Sequence, residues 1–249
     1  MEGKIKYWLS GDKDSDTAVI ICHGFPSNSS TTLLTSIQNQ LSIKYLVCRF
    51  DFKGSGQSGG NFYKTSISTM LNDLSEIVAL IETLGNKKII LMGHSFGAAI
   101  CMLFTERHTN KVSGLISLSG EGDLQKAISF EFNNDQIKEF EKNGKTTIET
   151  WVAGKPIKKE IGLQFLEDMR KYSTNDAAKL LSMPTLLIHG SKDELKPKVS
   201  RKINRIIPKP KKLVIIHGAD HFYNSFFEKI KLDEVIAEIN LWIEKYIVN

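Results

Sequence analysis

The feature that most constrains the fold is the stretch of residues 88–99, where an apolar run leads into a very tight turn. The run Lys88-Ile89-Ile90-Leu91-Met92 continues directly into Gly93-His94-Ser95-Phe96-Gly97, and small residues follow that can open a helix. This order is typical of a strand, a sharp turn and a helix, with Ser95 at the apex. A Cβ atom at Gly93 or Gly97 is expected to collide with neighbouring backbone in such a turn. The alternative is a glycine-rich loop with an incidental serine. The flanking pattern favours the first interpretation, with the Ser95 hydroxyl at a helix N-terminus, where negative charge is stabilised.

Segments typical of strands and helices alternate along most of the chain. Apolar runs without helical spacing predict strands at residues 4–9, 18–22, 45–52, 88–92, 112–118, 184–189 and 213–216. Apolar residues at helical spacing predict helices at residues 31–41, 66–84, 95–107, 199–206 and 232–246. This rhythm predicts an α/β fold with an open, mostly parallel sheet and helices on both faces. In such sheets reactive groups gather at the carboxyl ends of the strands.

Residues 122–173 break this alternation, being polar and charged with aromatic residues set among them. We expect helices at residues 135–142 and 158–172, the second with one apolar face, and a short alternating run at residues 147–152. The segment is longer than a plain connection between strands needs. The sequence therefore predicts a core domain of residues 1–121 and 174–249 and a cap, or lid, of residues 122–173. Most of its aromatic side chains should pack the cap onto the sheet, while Trp151, Phe130 and the later Phe222 are candidates for lining a substrate pocket.

Candidate catalytic partners for Ser95 lie at later strand ends. A serine hydroxyl is a poor nucleophile unless an imidazole takes its proton and a carboxylate orients that imidazole. Asp193 follows the strand at 184–189 and His221 follows the last strand, in the order Ser, Asp, His. The sequence leaves several less favoured alternatives. For the base they are His217 and His189, at strand ends where packing is the expected role, His94, in the turn and pointing away from the serine, and His108, at a helix end. For the acid they are Glu194, Glu121 and Asp123.

Acyl transfer also needs hydrogen-bond donors for the oxygen that becomes negatively charged. The backbone N–H of Phe96, directly after the serine, is one candidate. The second is expected in the loop at His23-Gly24-Phe25-Pro26, at the N–H of Phe25, because proline has no N–H. For His23 itself we expect a bracing role within the loop.

Composition and spacing argue against several other functions. The chain has 249 residues and a net charge of +5, but its lysines are scattered, and the run Pro208–Lys212 is interpreted as a solvated loop. Nucleic-acid binding is therefore not expected. The Gly54-Ser55-Gly56 segment lacks the residues of a phosphate-binding loop, and no His, Cys and carboxylate spacing predicts a metal site. We expect no cofactor.

The cysteines and the apolar segments indicate the cellular compartment in which the protein is expected. Cys22, Cys48 and Cys101 lie in apolar runs and are expected to be buried, reduced thiols. No stretch is typical of a signal peptide or a membrane span, so we expect a cytoplasmic protein with a small-molecule partner, as a monomer or a homodimer.

These motifs together resemble the α/β-hydrolase superfamily of serine hydrolases. The matching pieces are His23–Pro26, Arg49–Ser58, Gly93–Gly97, His189–Asp193 and Gly218–His221. The Arg49-Phe50-Asp51-Phe52 run and the moderate insertion look most like the feruloyl or cinnamoyl esterase branch of the carboxylesterases. That resemblance implies a compact cap over a pocket for an aromatic or medium acyl group. Phe96 stands where those esterases often carry a polar residue, which predicts a more apolar pocket mouth.

The sequence therefore predicts a serine esterase that cleaves carboxylic esters through an acyl-enzyme intermediate. A thioesterase, a monoacylglycerol lipase or a small serine peptidase would use the same three residues. A protein of another class, a non-catalytic binding protein on the hydrolase fold, is the remaining alternative.

Overall fold

The computed structural model describes residues 3–85, 87–152 and 155–248, with the backbone alone at residues 151 and 152. Within these residues, the strands in chain order are β1 Tyr7–Ser10, β2 Thr17–Cys22, β3 Leu46–Phe50, β4 Lys88–His94, β5 Gly114–Leu118, β6 Lys145–Val152, β7 Lys155–Gly162, β8 Thr185–Gly190 and β9 Lys211–Ile216. Seven of them form one sheet in the order β1-β3-β2-β4-β5-β8-β9, and β6 and β7 form a separate hairpin.

The main sheet is parallel except at its first edge. Strand β2 is buried along its whole length and lies between β3 and β4, with Ile20 opposite Cys48 on one side and Leu91 on the other. Only β1 runs antiparallel, pairing Tyr7 with Phe50. The predicted mostly parallel sheet is confirmed. Because the strands share one direction, the loops after β2, β4, β5, β8 and β9 meet at one edge.

Helices cover both faces of this sheet. Among the described residues the α-helices are α1 Thr32–Leu41, α2 Ile67–Glu82, α3 Phe96–Arg107, α4 Leu124–Glu131, α5 Asn134–Asn143, α6 Leu163–Lys171, α7 Thr174–Leu180, α8 Lys198–Ile206 and α9 Ile230–Ile243. One apolar cluster joins the sheet to α2 and α3, and a second joins the opposite face to α1 and α9. None of the described helices is long and apolar enough to cross a bilayer.

The predicted helix over residues 158–172 is wrong in its first part. Residues Lys155–Gly162 form β7, which pairs antiparallel with β6, and the helix α6 begins only at Leu163. Ile157 and Ile161 are spaced like one face of a helix, but pairing with a neighbouring strand overrides this weak local signal. The sequence also gave no indication of α4, whose first turn is capped by the Asp123 side chain accepting from the N–H of Lys126.

The elements between β5 and α7 contact the loops at the carboxyl edge of the sheet. On the hairpin, Lys159 Nζ donates to the carbonyl of Gly54 at 3.0 Å, and Thr150 Oγ1 lies 3.4 Å from the carbonyl of Pro26. These contacts bring β6 and β7 against the loops that follow β3 and β2.

Helix α6 is attached to the start of α2. Asp168 accepts from the backbone N–H of Ser68 at 2.7 Å, and the hydroxyls of Ser68 and Tyr172 are 2.8 Å apart. Phe132, Phe140 and Phe165 are buried in the core cluster beneath this segment. The expectation that most of the aromatic side chains pack the insertion against the sheet holds for these three.

Candidate active site

Ser95 lies in a strained turn between β4 and α3. Its backbone adopts φ 53° and ψ −124°, a left-handed φ that is uncommon for a residue with a side chain. A Cβ added at Gly93 would lie 2.4 Å from the Cα of Ala98, and one at Gly97 would lie 2.5 Å from the carbonyl oxygen of His23. Only glycine fits at both positions. The turn therefore has the tightness that its sequence predicted.

The loop after β2 lies directly against this turn. A Cβ added at Gly24 would come within 3.0 Å of the Ser95 Cβ. His23 holds the loop from within, because its Nδ1 donates to the carbonyl of Gly24 at 2.8 Å and its Nε2 accepts from the N–H of Phe52 at 3.1 Å. This is the bracing role expected for His23. These hydrogen bonds fix the loop in which Gly24 lies against Ser95.

Asp193 and His221 are in direct contact. Nδ1 of His221 lies 2.9 and 3.0 Å from the two carboxylate oxygens of Asp193, on the loops that follow β9 and β8. The Asp193 side chain is fully buried, whereas 22% of the His221 side chain is exposed. Because a carboxylate can only accept here, Nδ1 carries a proton, and in the neutral imidazole the lone pair is therefore on Nε2 of His221. The pair therefore has the arrangement of a base and its orienting acid.

His189 also contacts the carboxylate, although the sequence indicated only a strand-end core residue. It is fully buried, and its Nε2 lies 3.2 Å from Asp193 Oδ2. Burial alone would raise the pKa of Asp193, but hydrogen bonds from His189 and His221 outweigh it and hold this pKa well below its usual range. Asp193 is therefore ionised at neutral pH.

His94, next to Ser95, connects the turn to the loop of His221. Its Nε2 donates to the backbone carbonyl of His221 at 2.9 Å, and the two imidazole rings are 4.8 Å apart. Burial, with the nearby His221 adding to it, lowers the pKa of His94 to about 3. The ring is therefore neutral and holds the backbone of His221 close to the serine turn.

Two buried hydrogen bonds connect the carboxyl ends of β5, β8 and β9. The hydroxyl of Ser119, after β5, donates to Tyr223 Oη at 3.1 Å, and Tyr223 donates to the carbonyl of Ile188 in β8 at 2.9 Å. Tyr223 comes two residues after His221 and is fully buried. The chain just after His221 is thus fixed to the sheet, a role that no pattern in the sequence indicated.

The alternative histidine and acid candidates are found elsewhere. Glu194 and His217 are exposed, so the expectation that His217 packs against the sheet is wrong: its side chain leaves the end of β9 toward solvent. Asp123 caps α4 and lies 3.6 Å from Lys202. His108 lies at the C-terminal end of α3. Among the alternatives, only His189 and His94 are in contact with the pair formed by Asp193 and His221.

The Phe96 ring does not form a pocket mouth, in contrast to the expectation from the sequence. It is fully buried, with its centroid 5.4 Å from that of Phe165 and 5.7 Å from that of Phe25. The side chain packs under the insertion because the first turn of α3 faces the core there. Its backbone N–H, directly after Ser95, remains a candidate donor to an oxyanion.

The three candidate pocket residues differ in their surroundings. The Phe222 ring lies 5.3 Å from that of His221 and 5.2 Å from that of His94. Phe130 is 54% exposed and borders a cavity of about 330 Å³ whose lining also includes Glu121. The side chain of Trp151 lies outside the part of the chain that the structure describes.

Glu121 is an acidic residue close to the site that the sequence offered only as an alternative to Asp193. Its backbone N–H lies 3.4 Å from the carbonyl oxygen of Ser95, and the residue is 4% exposed. Burial, reinforced by the charge of Asp193 and opposed by His221, raises the pKa of Glu121 to about 7. No group of three or more His, Cys, Asp and Glu among the described residues could hold a metal ion.

Comparisons with known proteins show which family the chain belongs to and which proteins it is similar to. A model of the alpha/beta hydrolase fold matches residues 17–142, just over half of the chain. The chain is 22% identical over 219 residues to palmitoyl-protein thioesterase ABHD10, mitochondrial, of Rattus norvegicus, covering 84% of this chain and 70% of that protein. It is 28% identical over 254 residues to AB hydrolase superfamily protein YisY of Bacillus subtilis, covering 89% of this chain and 91% of that protein.

A solved structure shares the whole architecture. Est1E from Butyrivibrio proteoclasticus with bound ferulic acid superposes with a TM-score of 0.80 at 21% identity, covering 98% of this chain and 96% of that chain. At this level of identity the likeness shows a common fold.

Proposed function

The chain belongs to the alpha/beta hydrolase fold family, and on that premise we propose that it is a serine hydrolase that cleaves carboxylic esters through an acyl-enzyme intermediate. The observation that carries the proposal is the contact between His221 and Asp193, on a loop held by His94 beside the strained turn of Ser95. The same proposal covers the three residue roles: Ser95 as nucleophile, His221 as base and Asp193 as the acid that orients it.

The geometry supports a simple sequence of steps. Nε2 of His221 accepts the hydroxyl proton as Ser95 Oγ attacks the ester carbonyl, and the ionised Asp193 stabilises the imidazolium that forms. The negative oxygen of the tetrahedral intermediate accepts hydrogen bonds from the backbone N–H groups of Phe25 and Phe96. His221 then protonates the leaving alcohol as the carbon–oxygen bond breaks. Water, deprotonated by His221, attacks the acyl-enzyme. The bond between the acyl carbon and Ser95 Oγ then breaks, His221 returns the proton to Oγ, and the acid leaves.

We further propose that residues 122–173 act as a cap over a core of residues 1–121 and 174–249. The contacts of Lys159 with Gly54, of Thr150 with Pro26 and of Asp168 with Ser68 support this, because all three join the insertion to the strand ends or to the start of α2. A cap in this position would close over the acyl or alcohol group of the substrate.

The proposed substrates are aryl esters or esters of short to medium acyl groups, with feruloyl or cinnamoyl esters among them. The structural likeness to Est1E, solved with ferulic acid, supports this choice. A thioester is the second candidate, since the relative ABHD10 is a palmitoyl-protein thioesterase. The three cysteines are free and buried, which is consistent with the proposed cytoplasmic location.

The test is hydrolysis of p-nitrophenyl butyrate by the wild type and by Ser95→Ala. We expect the substitution to remove turnover while the circular dichroism spectrum and the unfolding midpoint stay close to those of the wild type. Ser75→Ala, on the exposed face of α2, is the matched control and should hydrolyse the ester as the wild type does. Equal activity of wild type and Ser95→Ala would overturn the proposal.

A substrate panel separates the ester and thioester candidates. Methyl ferulate, p-nitrophenyl butyrate and butyrylthiocholine present an aryl acid, a short acyl group and a thioester to the same nucleophile. A folded protein that binds these compounds but turns over none of them would be a binding protein on the hydrolase fold.

A further inference from the structure

The cavity beside Glu121 has an apolar wall and a cationic mouth. It has a volume of about 330 Å³ and lies between α4 and α8. Phe130 on α4, Val199 on α8 and Leu195 supply apolar surface, and Lys126, Lys198 and Lys202 supply the charges. A cavity with this lining suits a ligand that is apolar along its body and negatively charged at one end.

The cavity adjoins the residues proposed for ester hydrolysis. The backbone N–H of Glu121 lies 3.4 Å from the carbonyl oxygen of Ser95. On the other side, the N–H of Leu195 donates to Asp193 Oδ1 at 2.8 Å. Two residues that line the cavity, Glu121 and Leu195, therefore contact the backbone of Ser95 and the carboxylate of Asp193.

The balance of charges around the cavity is positive. Asp123 faces Lys126 at 3.9 Å and Lys202 at 3.6 Å, so one carboxylate is shared by two ammonium groups. Lys198 has no ion-pair partner within 4.0 Å among the described residues. The first turns of α4 and α8 also border the cavity, and helix N-termini favour negative charge.

Glu121 contributes a donor to this site. It is 4% exposed, and its Oε1 atom has no hydrogen-bond partner among the described residues. A buried carboxyl without a partner is costly in its ionised form, in keeping with its pKa of about 7. Besides the three lysines and Asp123, the ionisable groups facing it are His221, Asp193 and Glu131. Glu121 is one of the residues that line the cavity, and in its protonated form its carboxyl has a hydrogen to donate.

We propose that this cavity binds a carboxylate of the substrate that is not part of the ester bond. This carboxylate is carried on a short apolar chain or ring, in either the acyl or the alcohol part of the ester. The carboxylate accepts a hydrogen bond from the Glu121 carboxyl and is attracted by Lys126, Lys198 and Lys202. The inference rests on the proposed hydrolysis at Ser95 and names a substrate class for it.

Two matched pairs of esters test this preference. The mono-p-nitrophenyl ester of adipic acid and its methyl ester differ in charge on the acyl side, and para-acetoxybenzoate and its methyl ester differ on the alcohol side. Each kcat/KM is divided by the rate constant of the same ester with hydroxide, which removes differences in intrinsic reactivity. In one of the two pairs we expect the wild type to prefer the anion by about tenfold, the effect of one or two partly exposed charge contacts.

Variants assign the preference to this cavity. The double variant Lys198→Gln/Lys202→Gln should bring the ratio of anionic to neutral ester close to one, while Lys138→Gln, on the exposed face of α5, should leave it unchanged. Glu121→Leu should lower the ratio and Glu121→Gln should keep it, because the amide can still donate. In the wild type the ratio should fall as the pH rises from about 6 to about 8, because ionised Glu121 repels the anion, and Glu121→Gln should remove that fall.

The outcomes separate this inference from the proposed function. Hydrolysis with equal or greater preference for the neutral ester in both pairs would overturn the inference alone. So would a preference for the anion that survives Lys198→Gln/Lys202→Gln. A folded protein that binds para-acetoxybenzoate through these lysines, measured by calorimetry, but hydrolyses no ester would overturn the proposed function instead.

Discussion

Nε2 of His189 lies 3.2 Å from Oδ2 of Asp193, and the same nitrogen contacts the backbone carbonyl of Leu195. Because both partners are acceptors, Nε2 of His189 must carry a proton. Nδ1 of the ring is paired with the hydroxyl of Ser200 at 2.7 Å, so the imidazole is held at both nitrogens. Asp193 thus receives hydrogen bonds from His189, from the N–H of Leu195 and from His221. These contacts predict that His189 positions the carboxylate of Asp193.

Removing this contact should reduce the rate of turnover. We expect His189→Leu to lower kcat by about tenfold to a hundredfold, because a hydrogen bond to a charged group contributes about 1.5–3 kcal/mol. KM for p-nitrophenyl butyrate should change little, since His189 is buried away from the substrate. His189→Gln should recover part of kcat through its amide donor. If Leu and Gln at this position give the same kcat, His189 does not act through Asp193.

The sequence could not have indicated this role. His189 ends an apolar strand, and in sequence terms such a residue is indistinguishable from one that only packs in the core. Its contact with Asp193 depends on how the loop after β8 turns back on itself. By contrast, Ser95, Asp193 and His221 each follow a recognisable strand, so their placement at the same edge of the sheet could be predicted from the parallel topology.

Burial of neutral His94 should make stability fall in mild acid. Its pKa is about 3 in the folded protein against 6.5 for a free imidazole, so below about pH 6.5 only the unfolded chain takes up the proton. The free energy of unfolding should then fall by up to about 1.4 kcal/mol per pH unit from this residue alone. Urea unfolding between about pH 7 and pH 5 measures the slope.

His94→Gln isolates this contribution, because glutamine can donate to the carbonyl of His221 but does not titrate. The variant should show a shallower fall of stability with pH than the wild type. The same substitution at the exposed His217 is the control and should keep the wild-type slope. An unchanged slope in His94→Gln would mean that the ring is not held neutral in the folded state.

Two glycines beside Ser95 should respond differently to alanine. At Gly97 the added Cβ would meet backbone at 2.5 Å, and Gly97→Ala should destabilise the fold by about 1–3 kcal/mol or more. At Gly24 it would come within 3.0 Å of the Ser95 Cβ, so Gly24→Ala should reduce kcat/KM with a smaller loss of stability. Urea unfolding and p-nitrophenyl butyrate hydrolysis, measured on both variants, distinguish the two effects. Equal stability of Gly97→Ala and wild type would contradict the tight turn.

The insertion contains one element that its own residues indicate and one that depends on pairing with a distant segment. The helix α5 could be predicted because its own residues cap it, with Asn133 and Gln136 hydrogen-bonding each other's backbone. The strand β7 could not, since its residues are mostly exposed and polar and it forms only by pairing with β6. Likewise, Phe96 lies in a motif that predicts its backbone role, but the direction of its ring depends on contacts with Phe165, far away in the chain.

The central claim is that Ser95 is an activated nucleophile, and covalent labelling tests it most directly. Folded wild-type protein is incubated with a fluorophosphonate probe, and the adduct is located by intact mass and peptide mapping. We expect one adduct, on Ser95, with no labelling of Ser95→Ala and strongly slowed labelling of His221→Ala. Absence of labelling in the folded wild type, or equal labelling of Ser95→Ala, would contradict the account.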